Sequence, residues 1–243
     1  MVHFIVKLIN ALAKIAPGLT GRIAFFLFCW PRPKKAKLEE THFLATADLT
    51  FEEVDGRRYG VYHWGFKGPV ALLVHGWESH SGRWRKLVPM LLNAGYQVVA
   101  VDAPGHGRSK GTRFTMVEYA GVIRYLLQKN APVELVVGHS VGATSMVWAM
   151  GTMGPGFRPA KALLLCPFST LRYTLEKSAK ALKIDQRVMN AMEVRLKAFS
   201  GLAMDDIDIA KKAAQISGVD TLIIHDRKDK VTSYTESERL HQA

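Results

Sequence analysis

Five residues, Gly138-His139-Ser140-Val141-Gly142, constrain this chain more than any other stretch. They follow an apolar run at 133–137 and precede a helix-like stretch at 143–150, which reads as strand, sharp turn and helix with a serine at the apex. An apex of this kind holds its serine in a strained backbone conformation, and glycines on both sides remove the Cβ atoms that would strike the adjoining strand and helix. The hydroxyl then stands outward above the sheet edge, where a nucleophile is needed. His139 leaves the turn in another direction and is expected to pack or to hydrogen-bond a neighbouring strand.

From about residue 41 the chain alternates strand and helix patterns, the order that builds a mostly parallel sheet. Asp55-Gly56, between extended stretches at 44–54 and 58–64, reads as the turn of an antiparallel hairpin. Short apolar runs at 70–74, 97–101, 133–137, 162–166 and 221–224 each lead into a polar or Gly-rich loop, so candidate site residues gather at the carboxyl ends of parallel strands. With 243 residues, 48% of them hydrophobic, the chain has material for one α/β domain at 41–243 behind an extension at 1–40. Residues 167–212 interrupt the strand pattern with two helical stretches, 171–182 and 185–199, the second turning Val188, Met192, Leu196 and Phe199 inward. They read as a small helical cap whose methionine and aromatic side chains either meet acyl chains or close the cap's own core.

Four segments, in this order, resemble the α/β-hydrolase-fold serine hydrolases, in the branch of lipases, esterases and serine aminopeptidases, over residues 58–243. They are His75-Gly76-Trp77, the stretch Asp102-Ala103-Pro104-Gly105-His106-Gly107-Arg108-Ser109, the turn at Ser140, and His225-Asp226-Arg227-Lys228-Asp229-Lys230-Val231. The resemblance implies an α/β-hydrolase fold with a mostly parallel central sheet, an N-terminal hairpin and a small cap. It implies Ser140 as nucleophile, Asp229 as the acid, and the backbone N–H groups of Trp77 and Val141 as donors to an oxyanion, leaving the Trp77 indole free to wall an acyl pocket. Asp226 stands where the family has a glycine, so either aspartate is a candidate to turn inward, and Asp229 fits the motif better. His75 also reads as a satisfied core histidine. In this fold the base follows the acid, on a loop beyond one more strand. After Asp229, Ser233 and Glu236 form a capping box that opens a last helix, so the final strand, its histidine and the closing helix are expected to be missing from these 243 residues. No catalytic histidine is assigned, and the chain as given is expected to be inactive or incomplete. The expected activity is cleavage of carboxylic esters, with thioester or amide hydrolysis and non-catalytic binding as alternatives.

The net charge of +12 is unevenly spread: residues 1–38 hold seven Lys or Arg and no acid, and residues 156–197 hold nine against three acids. In the extension His3, Lys7, Asn10 and Lys14 fall on one helix face with apolar residues around the rest, and Pro17-Gly18 ends that helix. A further apolar run at 23–30 is too short to span a bilayer, which takes roughly 20 residues. The extension either lies on an anionic membrane surface or packs its apolar face on the catalytic domain. No nucleic-acid motif accompanies the charge, and no Cys and His spacing suggests a metal site, so no nucleic acid, metal or cofactor is expected. The partner expected is a small acyl substrate, and nothing in the sequence specifies an oligomeric state. Two cysteines, Cys29 and Cys166, fit a reducing compartment, hence the cytoplasm, with the inner membrane face as the peripheral alternative.

Overall fold

A computed structural model describes residues 2–32 and 35–243. Among these, seven strands join in one sheet: β1 (Asp48–Val54), β2 (Arg57–Trp64), β3 (Val70–Val74), β4 (Gln97–Val101), β5 (Val133–His139), β6 (Lys161–Leu165) and β7 (Asp220–Ile224), in the spatial order β1-β2-β4-β3-β5-β6-β7. β1 and β2 form the expected hairpin, and β2 also runs antiparallel to β4; all other pairs are parallel. The hairpin turns at Asp55 (φ 49°) and Gly56 (φ 71°), the paired positive φ values that match the twist of the strands it joins.

Side chains alternate across the sheet and fill two cores. Val70, Leu72 and Val74 of β3 point into the larger, while Ala71 and Leu73 point into the smaller, beside Trp64 and Trp84. The helices are α1 (Val2–Leu12), α2 (Pro17–Cys29), α3 (Leu38–Leu44), α4 (Leu87–Asn93), α5 (Met116–Lys129), α6 (Val141–Gly151), α7 (Leu171–Leu182), α8 (Gln186–Ser200), α9 (Ile209–Ala213) and α10 (Tyr234–His241). From Val141 to Met150 every residue of α6 is buried, which is why its sequence is apolar all round rather than striped.

Several local expectations differ from what the chain does. The first strand starts at Asp48, not near residue 44, because Leu38–Leu44 is the helix α3, whose first turn is closed by the Glu40 carboxylate accepting the Lys37 N–H at 2.8 Å. Pro17 does not merely end α1; it sits in the first turn of α2, where its missing N–H costs nothing, and α2 takes in most of the apolar run at 23–30. Ser233 makes no side-chain cap on α10. Glu236 turns away from its own helix and accepts both the N–H (2.9 Å) and the hydroxyl (2.6 Å) of Ser169, buried donors that no other acceptor among the described residues serves. In α8, Val188, Met192 and Leu196 are buried, but Phe199 is 37% exposed and faces Phe25 of the extension, so it does not close the cap's core as the spacing suggests.

The extension packs on the cap. Gly21 permits the approach of α2 to α8, since a Cβ there would lie 2.3 Å from the Ala191 carbonyl oxygen. Asn10 of α1 bonds the loop after α7, donating to the Lys183 carbonyl (3.0 Å) and accepting from the Asp185 N–H (2.9 Å). Phe25 and Cys29 enter the large core. Phe4, Leu8, Ile15, Leu19 and Phe26 nevertheless remain exposed, so the extension carries apolar surface on both sides. No helix among the described residues is long and apolar enough to cross a membrane.

Candidate active site

Ser140 sits between β5 and α6 at φ 53°, ψ −126°, in the region an L residue occupies only when its surroundings force it. The surroundings are the three close approaches the glycines allow. A Cβ on Gly138 would lie 2.6 Å from the Ala143 Cα, one on Gly142 would lie 2.3 Å from the His75 carbonyl oxygen, and one on Gly76 would lie 3.1 Å from the Ser140 Cβ. The His75-Gly76-Trp77 turn and the serine turn, 65 residues apart in sequence, are thereby pressed together at the carboxyl ends of the neighbouring strands β3 and β5. The Val141 N–H belongs to the first turn of α6, outside its intrahelical ladder, and the Trp77 N–H meets no acceptor among the described residues. No side chain among the described residues hydrogen-bonds the Ser140 hydroxyl, and Ser140 is only partly buried.

The flanking histidines are structural. His75, wholly buried, accepts the Ala103 N–H on Nε2 (2.9 Å) and donates from Nδ1 to the Gly76 carbonyl (2.7 Å). His106 likewise accepts the Glu78 N–H (3.0 Å) and donates to the Pro104 carbonyl (2.9 Å). Burial pushes the pKa of both below the usual histidine value, so they are neutral bridges between loops. His139 packs against Gly76; its Nδ1 is buried without a hydrogen-bond partner, and burial, reinforced by the charge of Arg83, lowers its pKa to about 4. Asp102 accepts from the Ser81 N–H (2.7 Å) and hydroxyl (2.8 Å), the Tyr62 hydroxyl (3.2 Å) and the Arg108 N–H (2.8 Å), which makes the stretch at 102–109 a clamp for the loops. The partly buried Trp77 indole packs at a steep angle to His106 and Phe114, at 5.6 and 5.3 Å between ring centroids.

The two candidate acids separate clearly. Asp226 is exposed and caps the N–H of Lys228. Asp229 turns inward and accepts the N–H groups of Val231 (2.7 Å) and Thr232 (3.0 Å). Burial alone would raise its pKa, but these two amides and the nearby His225 outweigh it and hold the carboxyl below its usual value. His225 lies 3.6 Å from Asp229, yet its Nε2–H is given to the Thr232 carbonyl (3.1 Å), which can only accept, and its Nδ1 takes the Ser237 hydroxyl (2.6 Å). Cys166, at the end of β6 with φ 51°, completes a group whose ligand-type atoms lie within 4.8 Å of one another: Cys166, His225 and Asp229. A metal would need His225 to give up one of its two bonds, so this is a hydrogen-bonded acid site as it stands.

Arg83 escaped the sequence reading. It follows the Trp77 loop, gives one hydrogen bond to the Ser79 hydroxyl (3.3 Å), and lies close enough to disfavour protonation of His75 and His139. Burial lowers its own pKa. Only its electrostatic reach to His75 and His139, on two other turns, marks it, and spacing along the chain carries no trace of that.

Comparison with known proteins gives the same architecture. Residues 71–224 match the model of the alpha/beta hydrolase family. Curated relatives include the phospholipase YtpA of Bacillus subtilis, 29% identical over 185 residues that span 72% of this chain and 69% of that protein. Another is epoxide hydrolase B of Mycobacterium tuberculosis, 36% identical over 94 residues, 37% of this chain and 26% of that protein, so the match spans about a quarter of its length. Among solved structures, an esterase of Pyrococcus furiosus superposes with a TM-score of 0.62 at 18% identity, over 88% of this chain and 82% of that one. The thioesterase domain from the curacin biosynthetic pathway gives 0.58 at 18% identity, over 81% and 88%.

Proposed function

Because the chain belongs to the alpha/beta hydrolase family, we propose that it is a serine hydrolase cleaving carboxylic esters through an acyl intermediate on Ser140. The observation that carries this reading is Ser140 itself, held at positive φ with an unbonded hydroxyl between the Val141 amide and the Gly76-Trp77 turn. In the reaction Oγ attacks the acyl carbon while its proton passes to a base. The carbonyl oxygen becomes an oxyanion and is received by the N–H groups of Val141 and Trp77, each worth about 3 kcal/mol of barrier. Collapse expels the alcohol, and water then repeats the steps on the acyl-serine to release the acid. Asp229, kept ionised by its two amide donors, is the acid that orients the base. His75, His106 and His225 spend both ring nitrogens on other bonds, and His139, with its pKa lowered to about 4, is a weak base that makes no hydrogen bond to Ser140 among the described residues, so none of them is assigned the base.

Lipid-like esters are the substrate class this reading favours. The exposed Phe4, Leu8 and Ile15 beside Lys7 and Lys14 support contact with an anionic membrane surface on its cytoplasmic side, and one relative is a phospholipase. Thioesters and amides would pass through the same intermediate. A second reading, a binding member of the fold without catalysis, is favoured by the lack of any base hydrogen-bonded to Ser140 among the described residues. A fluorophosphonate probe separates the two: covalent labelling, mapped by mass spectrometry to Ser140 and lost in Ser140→Ala, supports the hydrolase, and a folded protein that stays unlabelled overturns it. Co-sedimentation with phosphatidylglycerol vesicles, reduced in Phe4→Ser/Leu8→Ser, checks the membrane contact.

A further inference from the structure

Three arginines from separate parts of the chain, Arg22 on α2, Arg113 in the loop before α5 and Arg195 on α8, line one groove of about 440 Å³ with Phe25, Phe26 and Phe199. The pairs Arg22 and Phe26, and Arg195 and Phe199, each stand one turn apart on their helices, so each helix offers the groove a cation and a ring. The Phe25 and Phe199 rings meet at 5.3 Å, and the Arg113 guanidinium lies 4.3 Å over the Phe199 ring centre. No carboxylate among the described residues pairs with any of the three arginines, and the Arg113 Nε is buried without a hydrogen-bond partner. Arg113 also borders a second groove of about 430 Å³, lined by Arg58 and Lys110 among others, so positive charge continues along the surface.

Like charges gathered without an acid repel one another, and a buried guanidinium N–H without an acceptor is left short of a bond. An anion in the groove relieves the repulsion, and guanidinium groups match the oxygens of phosphate and carboxylate in geometry. The rings suit an apolar chain and nothing else in the groove does. We propose that this groove binds an anionic amphiphile, its phosphate or carboxylate head on Arg22, Arg113 and Arg195 and its tail across Phe25, Phe26 and Phe199. Ser140 is not among the lining residues, so the site stands whether or not Ser140 is a nucleophile.

The test is calorimetric titration of the full chain, in dilute buffer below micellar concentrations, with monododecyl phosphate, dodecanoate, dodecyl maltoside and inorganic phosphate. Monododecyl phosphate or dodecanoate should bind at a single site, at least about tenfold more tightly than either dodecyl maltoside or inorganic phosphate. Arg22→Gln and Arg195→Gln should each weaken that binding about tenfold, while Lys67→Gln/Lys86→Gln, a matched loss of two exposed charges outside the groove, should leave it unchanged. Phe26→Ser should weaken the amphiphile and spare inorganic phosphate. Arg22 is exposed, so its variant folds even where Arg113→Gln does not. Equal binding of inorganic phosphate would make the site one for a free anion, and equal binding of the maltoside would make it a detergent-binding apolar patch; either overturns the proposal. Unchanged affinity in Arg22→Gln/Arg195→Gln overturns it as well. Phosphatidylglycerol vesicles provide the membrane arm: loss of vesicle binding in the arginine variants identifies a lipid head as the source, and retention with loss of monododecyl phosphate binding identifies a free amphiphile.

Discussion

Gly76→Ala tests whether the turn after β3 is seated on Ser140. The new methyl carbon would lie 2.8 Å from the His139 Nδ1, 2.9 Å from the His139 carbonyl oxygen and 3.1 Å from the Ser140 Cβ. Two of these distances are shorter than real Cβ contacts tolerate, and one neighbour is backbone, so the His75-Gly76-Trp77 turn has to move. Gly76 itself needs no special φ, which leaves space as the sole source of the effect. Overpacking of this kind costs about 1–3 kcal/mol, and a chain of this size loses about 2–4 °C of Tm per kcal/mol. The shift carries the Trp77 N–H away from Ser140, which removes one oxyanion donor and slows covalent labelling and acyl transfer by about 10²-fold or more. Urea denaturation and fluorophosphonate labelling rates, measured side by side, read the two effects separately. The control is Gly156→Ala, where no atom lies within 4 Å of the new carbon and both measurements should be unchanged within error. Wild-type stability in Gly76→Ala would refute the packing, and lost stability with full labelling would refute the donor role of Trp77.

Three further outcomes are expected. Glu236→Ala strands two buried donors of Ser169 and should cost about 3 kcal/mol in chemical denaturation; removing the hydroxyl as well, in Glu236→Ala/Ser169→Ala, should recover part of that, and an additive double variant would show that the pair is not coupled. The fall of the His139 pKa from 6.5 to about 4 means that the unfolded chain binds more protons between these values, so stability is full above pH 6.5 and is lost as pH falls toward 4. At about 1.4 kcal/mol per pKa unit, discounted for partial exposure, the loss is about 2 kcal/mol, and urea midpoints that stay level over this range would remove the account. β7 forms one edge of the sheet with Leu222 and Ile224 at 59% and 50% exposure, so the 243-residue chain should associate with rising concentration. Ile224→Lys should reduce this in sedimentation velocity runs, whereas an unchanged distribution would place the contact elsewhere.

The readable parts of this chain were those that a few neighbouring residues decide. The turn at Ser140 needs small residues at fixed offsets, and Gly138 and Gly142 stand where an added Cβ would come within 3 Å of Ala143 and His75. Asp229 was preferred to Asp226 on its place in the motif alone; in the fold it accepts two amides, those of Val231 and Thr232, where Asp226 accepts one. Glu236 shows the opposite case. Three residues after Ser233, it has the spacing of a cap, but the buried donors of Ser169, 67 residues earlier, compete for the same carboxylate and win it. Nothing near Glu236 in the sequence announces that competitor.

The extension and the cap extend the same distinction to whole helices. A four-residue repeat such as Val188, Met192 and Leu196 says that a helix buries a face, and it is silent on what arrives to cover it. Phe199 continues that face by spacing alone, and whether it closes a core or walls a groove depends on α2, which reaches α8 only because Gly21 lacks a side chain. The same contact brings Arg22 beside Arg113 and Arg195. Two basic segments counted along the chain thus meet, once α2 crosses α8, in one cluster of guanidinium groups over aromatic rings, where Arg113 from outside both segments joins them. Gly21→Leu is the substitution that separates the two descriptions. It leaves every charge in the sequence intact, forces α2 off Ala191, and should abolish monododecyl phosphate binding; if binding survives with α2 displaced, the net charge of the segments, and not the groove, is what attracts the anion.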